Sequence, residues 1–537
     1  MSTTLMVLIG GVLLFIGYVF YGKYIAEKVL IVDPSVKTPA EAMYDGVDYV
    51  PCPAPVLLGH HFASIAGAGP ITGPIAAAAF GWVPVFLWIV IGSIFVGGVH
   101  DFVALIASVR HDAKSIGEVV RTHIGEKGQF FFLCFSYLTL VLVVAVFTIL
   151  VVGTFVSVPA VATTSLLFIA LAVAFGLAIN RYKVPLGIAT TVGVILLFLC
   201  VWLGVQFPIV ASNTFWTFFC LVYIFIASII PVWILLQPRD YLNSFLLYAS
   251  LLGALVGIII GGPALEFPAF VSFNAAGPLF PMLFVTVACG AISGFHSLVS
   301  SGTTAKQLAS EKDAKLIGYG AMLIEGLLAL VALATVAYLS KDGYTAALAD
   351  LGGPTGVFAA GVGHFMSFFG IPVAFGTTFG ALAVNAFCLT SLDTATRLGR
   401  YAWEEFFETR APALSNRYIG TTVTVVLAGA LALSGNWAAI WPIFGSANQL
   451  LAALTLLTAS VWLTSLNQDR RPTMYPMFFM FAATLTALVF LIKDNLAKGN
   501  MVLGIPGILL FILAIFLVLE ANKVLGKMKE EKPSIGA

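Results

Sequence analysis

Charged residues are scarce in this sequence. Only 9% of its 537 residues are Asp, Glu, Lys or Arg, whereas a soluble domain has about 25%. The hydrophobic fraction is 60% and the mean hydropathy is +1.03, values that a soluble core does not reach. The net charge is +1, so no basic excess indicates binding of nucleic acid. This composition excludes a soluble globular protein and predicts an integral membrane protein.

Motifs of several other protein classes are also missing. The six cysteines are scattered without a Cys-x-x-Cys pair, so we interpret them as packing residues rather than redox or metal groups. There is no Walker A sequence, which disfavours ATP-driven transport, and no HExxH metalloprotease motif. No linker or low-complexity stretch marks a separate soluble domain.

Apolar stretches of about 20 residues, each long enough to cross a bilayer, recur along nearly the whole length. They predict an all-α polytopic protein with about 15 membrane-spanning helices. Basic residues, Arg239 and Arg397 among them, concentrate in alternate loops, which predicts an external N-terminus and a cytoplasmic C-terminus. The stretch Thr396–Arg410 mixes aromatic and charged residues, which predicts a helix lying in the membrane interface. The predicted spans are 3–22, 57–79, 82–108, 128–156, 162–181, 185–206, 213–236, 243–261, 279–300, 316–339, 373–397, 417–434, 437–463, 475–493 and 501–524.

Two of these spans are rich in residues that interrupt helices. Glycines and prolines crowd the segment 58–74, and hydroxyl residues surround one histidine in the segment 289–304. A helix that is broken at such residues leaves backbone groups without partners, which a membrane tolerates only where they line a polar cavity. We therefore predict that both spans are broken helices beside a binding site.

Each broken span is the first in a run of five consecutive predicted spans. The two broken spans cross the membrane in opposite directions. This layout is expected of two inverted five-helix repeats, with substrate and ions bound midway at the breaks. The predicted division is a first helix with its cytoplasmic loop (1–56), a first repeat (57–206), two inserted helices (207–278), a second repeat (279–463), and two final helices with a basic tail (464–537).

The breaks supply the candidate substrate site. Their unwound helix ends would offer amides to a substrate carboxylate and carbonyls to a cation. Imidazole and hydroxyl side chains nearby would orient the substrate. The predicted substrate-binding residues are His61, Ser64, Gly67, Gly69, His296, Ser300 and Ser301.

Ionisable groups inside a bilayer are costly and usually serve a pathway. Glu325 is the deepest acid by position and is predicted to carry a coupling proton; a structural hydrogen bond or ion pair is the alternative. Thr390 and Ser391 would hold a cation such as Na⁺ against the carbonyls of the first break. Asp393 completes the predicted ion-coupling set, with pairing to Arg397 one turn later as its alternative.

Four further ionisable groups fall in neighbouring predicted spans: His60, His61, His100 and Asp101. Neutral imidazoles with a carboxylate could bind a transition metal, although the i,i+4 spacing of a typical site is absent. A satisfied histidine network or a proton relay is the alternative. The corresponding alternative function is a metal-dependent membrane enzyme or sensor, whereas a transporter would need only H⁺ or Na⁺ and no cofactor.

The segments Pro39–Pro51, Leu58–Pro74, Gly98–Phe102, Gln237–Asn243 and Gly294–Ser297 closely resemble the carbon starvation protein A (CstA) family. The resemblance implies a secondary active transporter of the bacterial inner membrane, induced when carbon is scarce. It implies import of peptides or pyruvate by proton symport, a small-molecule substrate and no enzymatic activity. The family is grouped with the amino acid–polyamine–organocation (APC) transporters, which implies a LeuT/APC-like inverted repeat. The oligomeric state stays open.

Overall fold

The computed structural model describes residues 2–433 and 437–530. Within these ranges the chain is helical, and β pairing is limited to isolated bridges, so the predicted all-α class is confirmed. Helices suit these apolar segments because each one satisfies its own backbone hydrogen bonds in a medium without water. The end of the predicted basic tail, 531–537, lies outside the described residues.

The helices are numbered here in chain order, and a short turn, Pro39–Ala42, precedes the second. The first ten are α1 Thr3–Val29, α2 Ala54–Ile65, α3 Gly69–Phe80, α4 Trp82–Val109, α5 Ile116–His123, α6 Glu126–Ser157, α7 Pro159–Asn180, α8 Leu186–Gln206, α9 Asn213–Ile229 and α10 Leu236–Gly261. The remaining nine are α11 Leu279–Thr304, α12 Glu311–Ala337, α13 Lys341–Asp350, α14 Pro354–Ser367, α15 Val373–Glu408, α16 Arg417–Leu433, α17 Trp437–Ser465, α18 Arg471–Ala497 and α19 Met501–Glu530.

Twelve helices in the described part of the chain are long and apolar enough to cross a membrane. The count becomes thirteen if α2 and α3, which meet at a bend of 44°, form one span. Two other predicted spans correspond to α9 and α16, which have 17 residues each. The structure therefore has twelve or thirteen long spans where the hydropathy pattern predicts about fifteen.

Two segments that were expected outside the bilayer belong to long helices. The interfacial helix expected after residue 396 is instead the end of α15, which continues without a break to Glu408. The loop expected around Arg239 is instead the first turn of α10. Hydropathy misplaced both because charged residues lower the local average, although here they are buried against partners of opposite charge.

Both predicted breaks are present. The first separates α2 from α3 at Ala66–Ala68, and the chain re-enters a helix at Gly69 and Pro70, where a missing N–H costs nothing. The second interrupts α11 near Ala291, with Ala288 at φ 44° and Ser293 extended. The Asn448 side chain from α17 binds this break, accepting from the amide of Phe295 at 2.7 Å.

Helix α3 crosses α11 at two glycine residues, Gly69 and Gly73. A Cβ atom at Gly73 would lie 2.3 Å from the carbonyl oxygen of Val287 and 2.7 Å from that of Thr286. A Cβ atom at Gly69 would lie 2.5 Å from the sulfur of Cys289. These contacts let α3 and α11 approach backbone to backbone, as small residues do in membrane helix pairs.

Replacing Gly73 with alanine is expected to lower the free energy of unfolding by about 1–3 kcal/mol, because the new methyl group meets main-chain atoms that cannot rotate away. Thermal unfolding of the purified protein in detergent measures the effect. Gly153→Ala is the matched control, since no atom lies within 4 Å of a Cβ there, and it should be neutral or slightly stabilising. Equal melting temperatures for the two variants would show that the crossing is not close-packed.

Candidate functional site

A continuous chain of four buried ionisable side chains lies beside the second break. Asp101 on α4 accepts from Nδ1 of His100 at 2.7 Å and from Nδ1 of His296 at 3.0 Å. Nε2 of His296 lies 3.4 Å from a carboxyl oxygen of Glu325 on α12. None of the four side chains is more than 1% exposed. The chain thus joins three helices at the centre of the protein.

The contact between His296 and Glu325 is not a hydrogen bond in the structure, since Nε2 of His296 and both carboxyl oxygens of Glu325 have no hydrogen-bond partner among the described residues. An ionised Asp101 can only accept, so Nδ1 of His296 is its donor. Nε2 of a neutral imidazole would then present a lone pair to Glu325, which suits a carboxyl group that carries a proton. The pair therefore has the arrangement expected of a place where an exchangeable proton can bind.

Polar atoms without a hydrogen-bond partner among the described residues gather around this chain. They are Nε2 of His61, Nε2 of His100, Nε2 of His296, Oγ of Ser300 and both carboxyl oxygens of Glu325. His61 binds Thr304 through Nδ1 at 2.8 Å and interacts electrostatically with Asp101 and His296. Unsatisfied polar groups are expensive inside a bilayer, so their concentration here indicates a place where a ligand or water binds.

A second buried network centres on Arg239 in α10. Its guanidinium donates to Asp240 at 2.7 Å, to the Tyr223 hydroxyl and to Asp393 on α15. Tyr223 in turn donates to Asp393 at 2.6 Å. Asp240 extends the network to Nδ1 of His60 on α2, at 2.7 Å. Two carboxylates thus surround one fully buried arginine.

The end of α2 contacts α15 through hydroxyl groups. Ser391 donates to the carbonyl oxygen of Ser64 at 2.9 Å, and the hydroxyls of Ser64 and Thr394 lie 3.1 Å apart. Thr390 accepts from the Asn243 amide at 3.5 Å. A Cβ atom on Gly67 would lie 3.0 Å from the Ser391 hydroxyl. Of the two predicted cation residues, Ser391 therefore lies against the first break, whereas Thr390 contacts α10.

A cavity of about 580 Å³ leads from one face of the protein toward this region. It begins at the loop 350–353, where α13 ends and α14 starts. Its walls include Thr154 of α6 and extend to Thr72 of α3 and Cys388 of α15, close to the breaks. A small polar molecule could approach the breaks from this face.

The opposite face is closed by the loop 45–53, here named the strap. Asp48 in the strap accepts from Arg397 at 2.8 Å, Arg400 at 3.1 Å and Tyr401 at 2.6 Å. Burial acts to raise the pKa of Asp48, but Arg400 and Arg397 outweigh it and hold that pKa well below its usual range. The amide of Cys52 also donates to the carbonyl oxygen of Gln307 at 3.0 Å. The strap thus ties α15 to the end of α11.

The family model "Carbon starvation protein CstA" matches residues 2–350 and 345–487. The chain belongs to the CstA family. The peptide transporter CstA of Escherichia coli is 34% identical over 88% of this chain and 78% of its own length. The pyruvate/proton symporter BtsT of the same organism is 32% identical over 88% and 79%. The peptide transporter CstA of Bacillus subtilis is 32% identical over 100% and 99%.

Solved structures with a similar fold are also transporters. A manganese transporter of Eremococcus coleocola, crystallised with an aromatic bis-isothiourea compound, superposes with a TM-score of 0.51. It covers 90% of this chain and 99% of its own, at 15% identity, which shows a shared fold only. Membership of the CstA family and the apolar helices identify the chain as a multi-pass transport protein of the inner (cytoplasmic) membrane.

In this CstA-family protein the predicted substrate residues are all buried. Gly67 and Gly69 lie at the first break, whereas His61 and Ser64 precede it in α2. His296 follows the second break, and Ser300 and Ser301 lie further along α11 in a π-helical turn. Ser301 differs from the rest, since its hydroxyl donates to the carbonyl of Ser297 in its own helix at 2.7 Å. The alternative pairing of Asp393 with Arg397 is wrong, because Asp393 binds Arg239 and Arg397 binds Asp48.

The four residues considered for a transition metal fall into different networks. His60 contacts Asp240, His61 contacts Thr304, and His100 with Asp101 belongs to the chain that reaches Glu325. In the ranges that the structure describes, no group of three or more His, Cys, Asp or Glu side chains is arranged to hold a metal ion.

Several residues of these networks were not predicted from the sequence. Most of these residues lie on α10 or contact it. The family motif Gln237–Asn243, which lies on α10, could have pointed to them. Its arginine and aspartate were interpreted as loop residues because basic groups at span ends usually anchor the cytoplasmic side. The residues are Asp48, Tyr223, Arg239, Asp240, Asn243, Gln307 and Asn448.

Proposed function

We propose that this protein is a secondary active symporter that imports small carboxylate-bearing nutrients, peptides or pyruvate, together with protons. Two relatives carry these substrates in their names, and one is named a proton symporter. The observation that carries the proposal is the buried contact of His296 with Glu325, where a proton can bind, next to unpartnered polar atoms at a helix break. A proton bound there is placed to be carried with a substrate.

The proposed scaffold is an inverted repeat of 57–206 and 279–463, with the N-terminus outside and the C-terminus in the cytoplasm. In each proposed repeat the first helix is broken, and the next helix carries an acid toward the centre. These acids are Asp101 on α4 and Glu325 on α12, and both contact His296. Equivalent placement of two acids is expected if one fold is used twice.

The proposed substrate position is at the first break, where α3 begins at Gly69. The N-terminus of a helix attracts anions, so a substrate carboxylate would bind there. His61 and Ser300 have unpartnered atoms to offer to the remaining polar groups of the substrate. Peptides and pyruvate share the carboxylate, so one anchor serves both.

The cavity and the strap support alternating access. In the predicted orientation the cavity opens to the outside, and the strap closes the cytoplasmic side through Asp48, Arg397 and Arg400. A substrate would enter through the cavity, and its release inward would require the strap to separate from α15. This cycle needs no cofactor.

Uptake into proteoliposomes of the pure protein tests the proposal. Labelled pyruvate and a labelled dipeptide would each be supplied with an imposed proton gradient, a sodium gradient or neither. We expect at least one substrate to accumulate above equilibrium with the proton gradient. Accumulation of neither substrate under any gradient, by protein that elutes as a folded species, would overturn the proposed substrate class.

A further inference from the structure

A pocket of about 290 Å³ lies on the face that the strap closes. Its walls are Tyr49 of the strap, Lys306 just after α11, and Tyr401 with three glutamates at the end of α15. Sites for small molecules usually have volumes of about 300–1,000 Å³, so the pocket has the size of a small ligand site. The substrate and proton residues of the proposed function do not lie in it.

The ammonium group of Lys306 has no acceptor. Its Nζ atom lies 3.7 Å from the centre of the Tyr401 ring and 5.3 Å from that of Tyr49. It makes no hydrogen bond or ion pair with the residues that the structure describes. Burial lowers the pKa of Lys306, although the carboxylates of Asp48 and Glu405 act in the opposite direction. The two rings attract the charge but leave its three N–H donors free.

Most acids around this lysine are engaged by other groups. Glu405 accepts from both the amide and the hydroxyl of Ser115, and Glu404 lies 3.8 Å from Arg400. Three charged side chains of the pocket have no ion pair within the described ranges, namely Lys306, Lys114 and Glu408. Two of them are positive and one is negative. The free charge of the pocket therefore suits a carboxylate, which forms strong hydrogen bonds with an ammonium group.

A smaller cavity lies behind the lysine. Its volume is about 20 Å³, which is enough for one water molecule. It shares Lys306, Tyr401 and Glu405 with the pocket, and it reaches Leu298 and Gly302 of α11. Since the second break interrupts the same helix, the two cavities mark a path from that break to the pocket.

This path is closed in the structure. A Cβ atom at Gly302 would lie 2.1 Å from the side chain of Leu398 and 3.9 Å from that of Tyr401, so α11 and α15 are close-packed there. The strap holds the outer end, because the amide of Val50 donates to the carbonyl oxygen of Lys306 at 3.2 Å. Lys306 thus lies between the closed contact of two helices and the strap.

We propose that this pocket is a release site, in which Lys306 binds the substrate carboxylate after it leaves the breaks and before it enters the cytoplasm. The inference rests on the proposed function, since the ligand is the transported substrate. Lys114 is the second cation of the site. An ammonium group is a compact charge on a flexible stem, so it can follow a carboxylate that is leaving. The bond from Val50 ties this lysine to the strap, whose separation from α15 opens the path.

Initial rates of uptake from each face of the membrane test the site. Right-side-out and everted membrane vesicles from cells that overproduce the protein present opposite faces to labelled pyruvate or a labelled dipeptide. In the predicted orientation the everted vesicles present the face with the strap. No gradient is imposed, so the result does not depend on the coupling ion. Vesicles without the protein give the background.

Lys306→Met is expected to raise the KM at the strap face at least about tenfold, because a hydrogen bond to a charged group is lost. Methionine keeps an unbranched apolar side chain over the tyrosine rings. The KM at the cavity face should stay within about twofold of wild type. Lys306→Arg restores the charge and should bring the KM at the strap face to within about threefold of wild type.

The matched control is Lys312→Met. Lys312 is an exposed lysine in the same connection between α11 and α12, and it does not line the pocket. Both KM values should equal those of wild type. A purely structural role of Lys306 would change both faces together, so the difference between the faces is what identifies a release site.

Several results would overturn the release site alone. They are equal KM changes at both faces in Lys306→Met, no change at either face, and a change that Lys306→Arg does not recover. If Lys306→Met does not fold, Lys114→Met decides, and an unchanged KM at the strap face would then overturn the site. Wild-type vesicles that take up neither substrate from either face would instead contradict the proposed function, and the release site with it.

Discussion

Replacing Glu325 with glutamine is expected to abolish accumulation of substrate driven by a proton gradient, while counterflow exchange persists within about threefold of wild type. Glutamine has the size of glutamate, but it cannot release a proton to His296. Exchange needs the loaded carrier to reorient without net proton movement, so it should survive. Proteoliposomes of this variant, assayed for uptake and for exchange of the same substrate, measure both quantities.

The matched control for this variant is Glu520→Gln. That glutamate lies near the end of α19, where it pairs with Lys523, so both activities should equal those of wild type. Loss of exchange together with uptake in Glu325→Gln would place Glu325 in the substrate site. Undiminished uptake would show that the coupling proton is carried elsewhere.

Replacing Asp48 with asparagine is expected to release the strap. The change leaves Arg397 buried without a carboxylate and Arg400 with only the longer contact to Glu404 at 3.8 Å. Loss of one partner of a buried ion pair costs about 3–5 kcal/mol. Cys52 in the strap reports the opening, because it is buried and burial raises the pKa of its thiol to about 12. A thiol in that state is unreactive, and we expect at least about tenfold faster labelling in the variant.

The labelling requires a background in which the other five cysteines are replaced, so that Cys52 alone reacts. Asp469→Asn is the matched control, since Asp469 lies in a loop and also pairs with an arginine, Arg471 at the start of α18, but at the surface and away from the strap. Its labelling should match that of the parent. Equal rates in Asp48→Asn and the parent would mean that the ion pairs do not hold the strap closed.

The breaks in α2–α3 and in α11 could be predicted because their causes are local. Proline lacks an N–H and glycine adds flexibility, so Gly67, Gly69 and Pro70 predict an interruption at the place where the structure has one. The same reasoning identified the segment around His296. The local sequence does not show which side chains bind the backbone groups that a break leaves free. The hydrogen bond from the amide of Phe295 to Asn448 of α17 is therefore not predicted.

The ionisable residues inside the membrane were recognised one by one, but their partners were not. His296 contacts Asp101, 195 positions away, and Arg239 contacts Asp393, 154 positions away. Short π-helical turns lie beside Asp101, His296 and Glu325 and change the direction in which each helix presents its side chains. They are Ser93–Gly97, Ser300–Thr304 and Lys315–Gly320. No spacing rule in a single sequence predicts such turns.

Arg239 and Arg397 show where the sequence pattern misleads. Basic residues near the ends of apolar segments usually anchor a helix at the cytoplasmic surface, and both were interpreted that way. In the structure both are fully buried, because Asp240, Asp393 and Asp48 neutralise them. A hydropathy average cannot detect this compensation, since the partners are distant in the chain.

The sequence alone determined that this protein is an all-helical membrane protein, that it belongs to the CstA family, and where two of its helices break. These properties follow from composition, from long matching motifs and from the local chemistry of glycine and proline. Tertiary structure alone decided which charges pair, which face is open and which is closed, and that His296 lies against both Asp101 and Glu325. Those properties depend on contacts between distant helices, and their energies are set by burial in a medium where an unpaired polar group is costly.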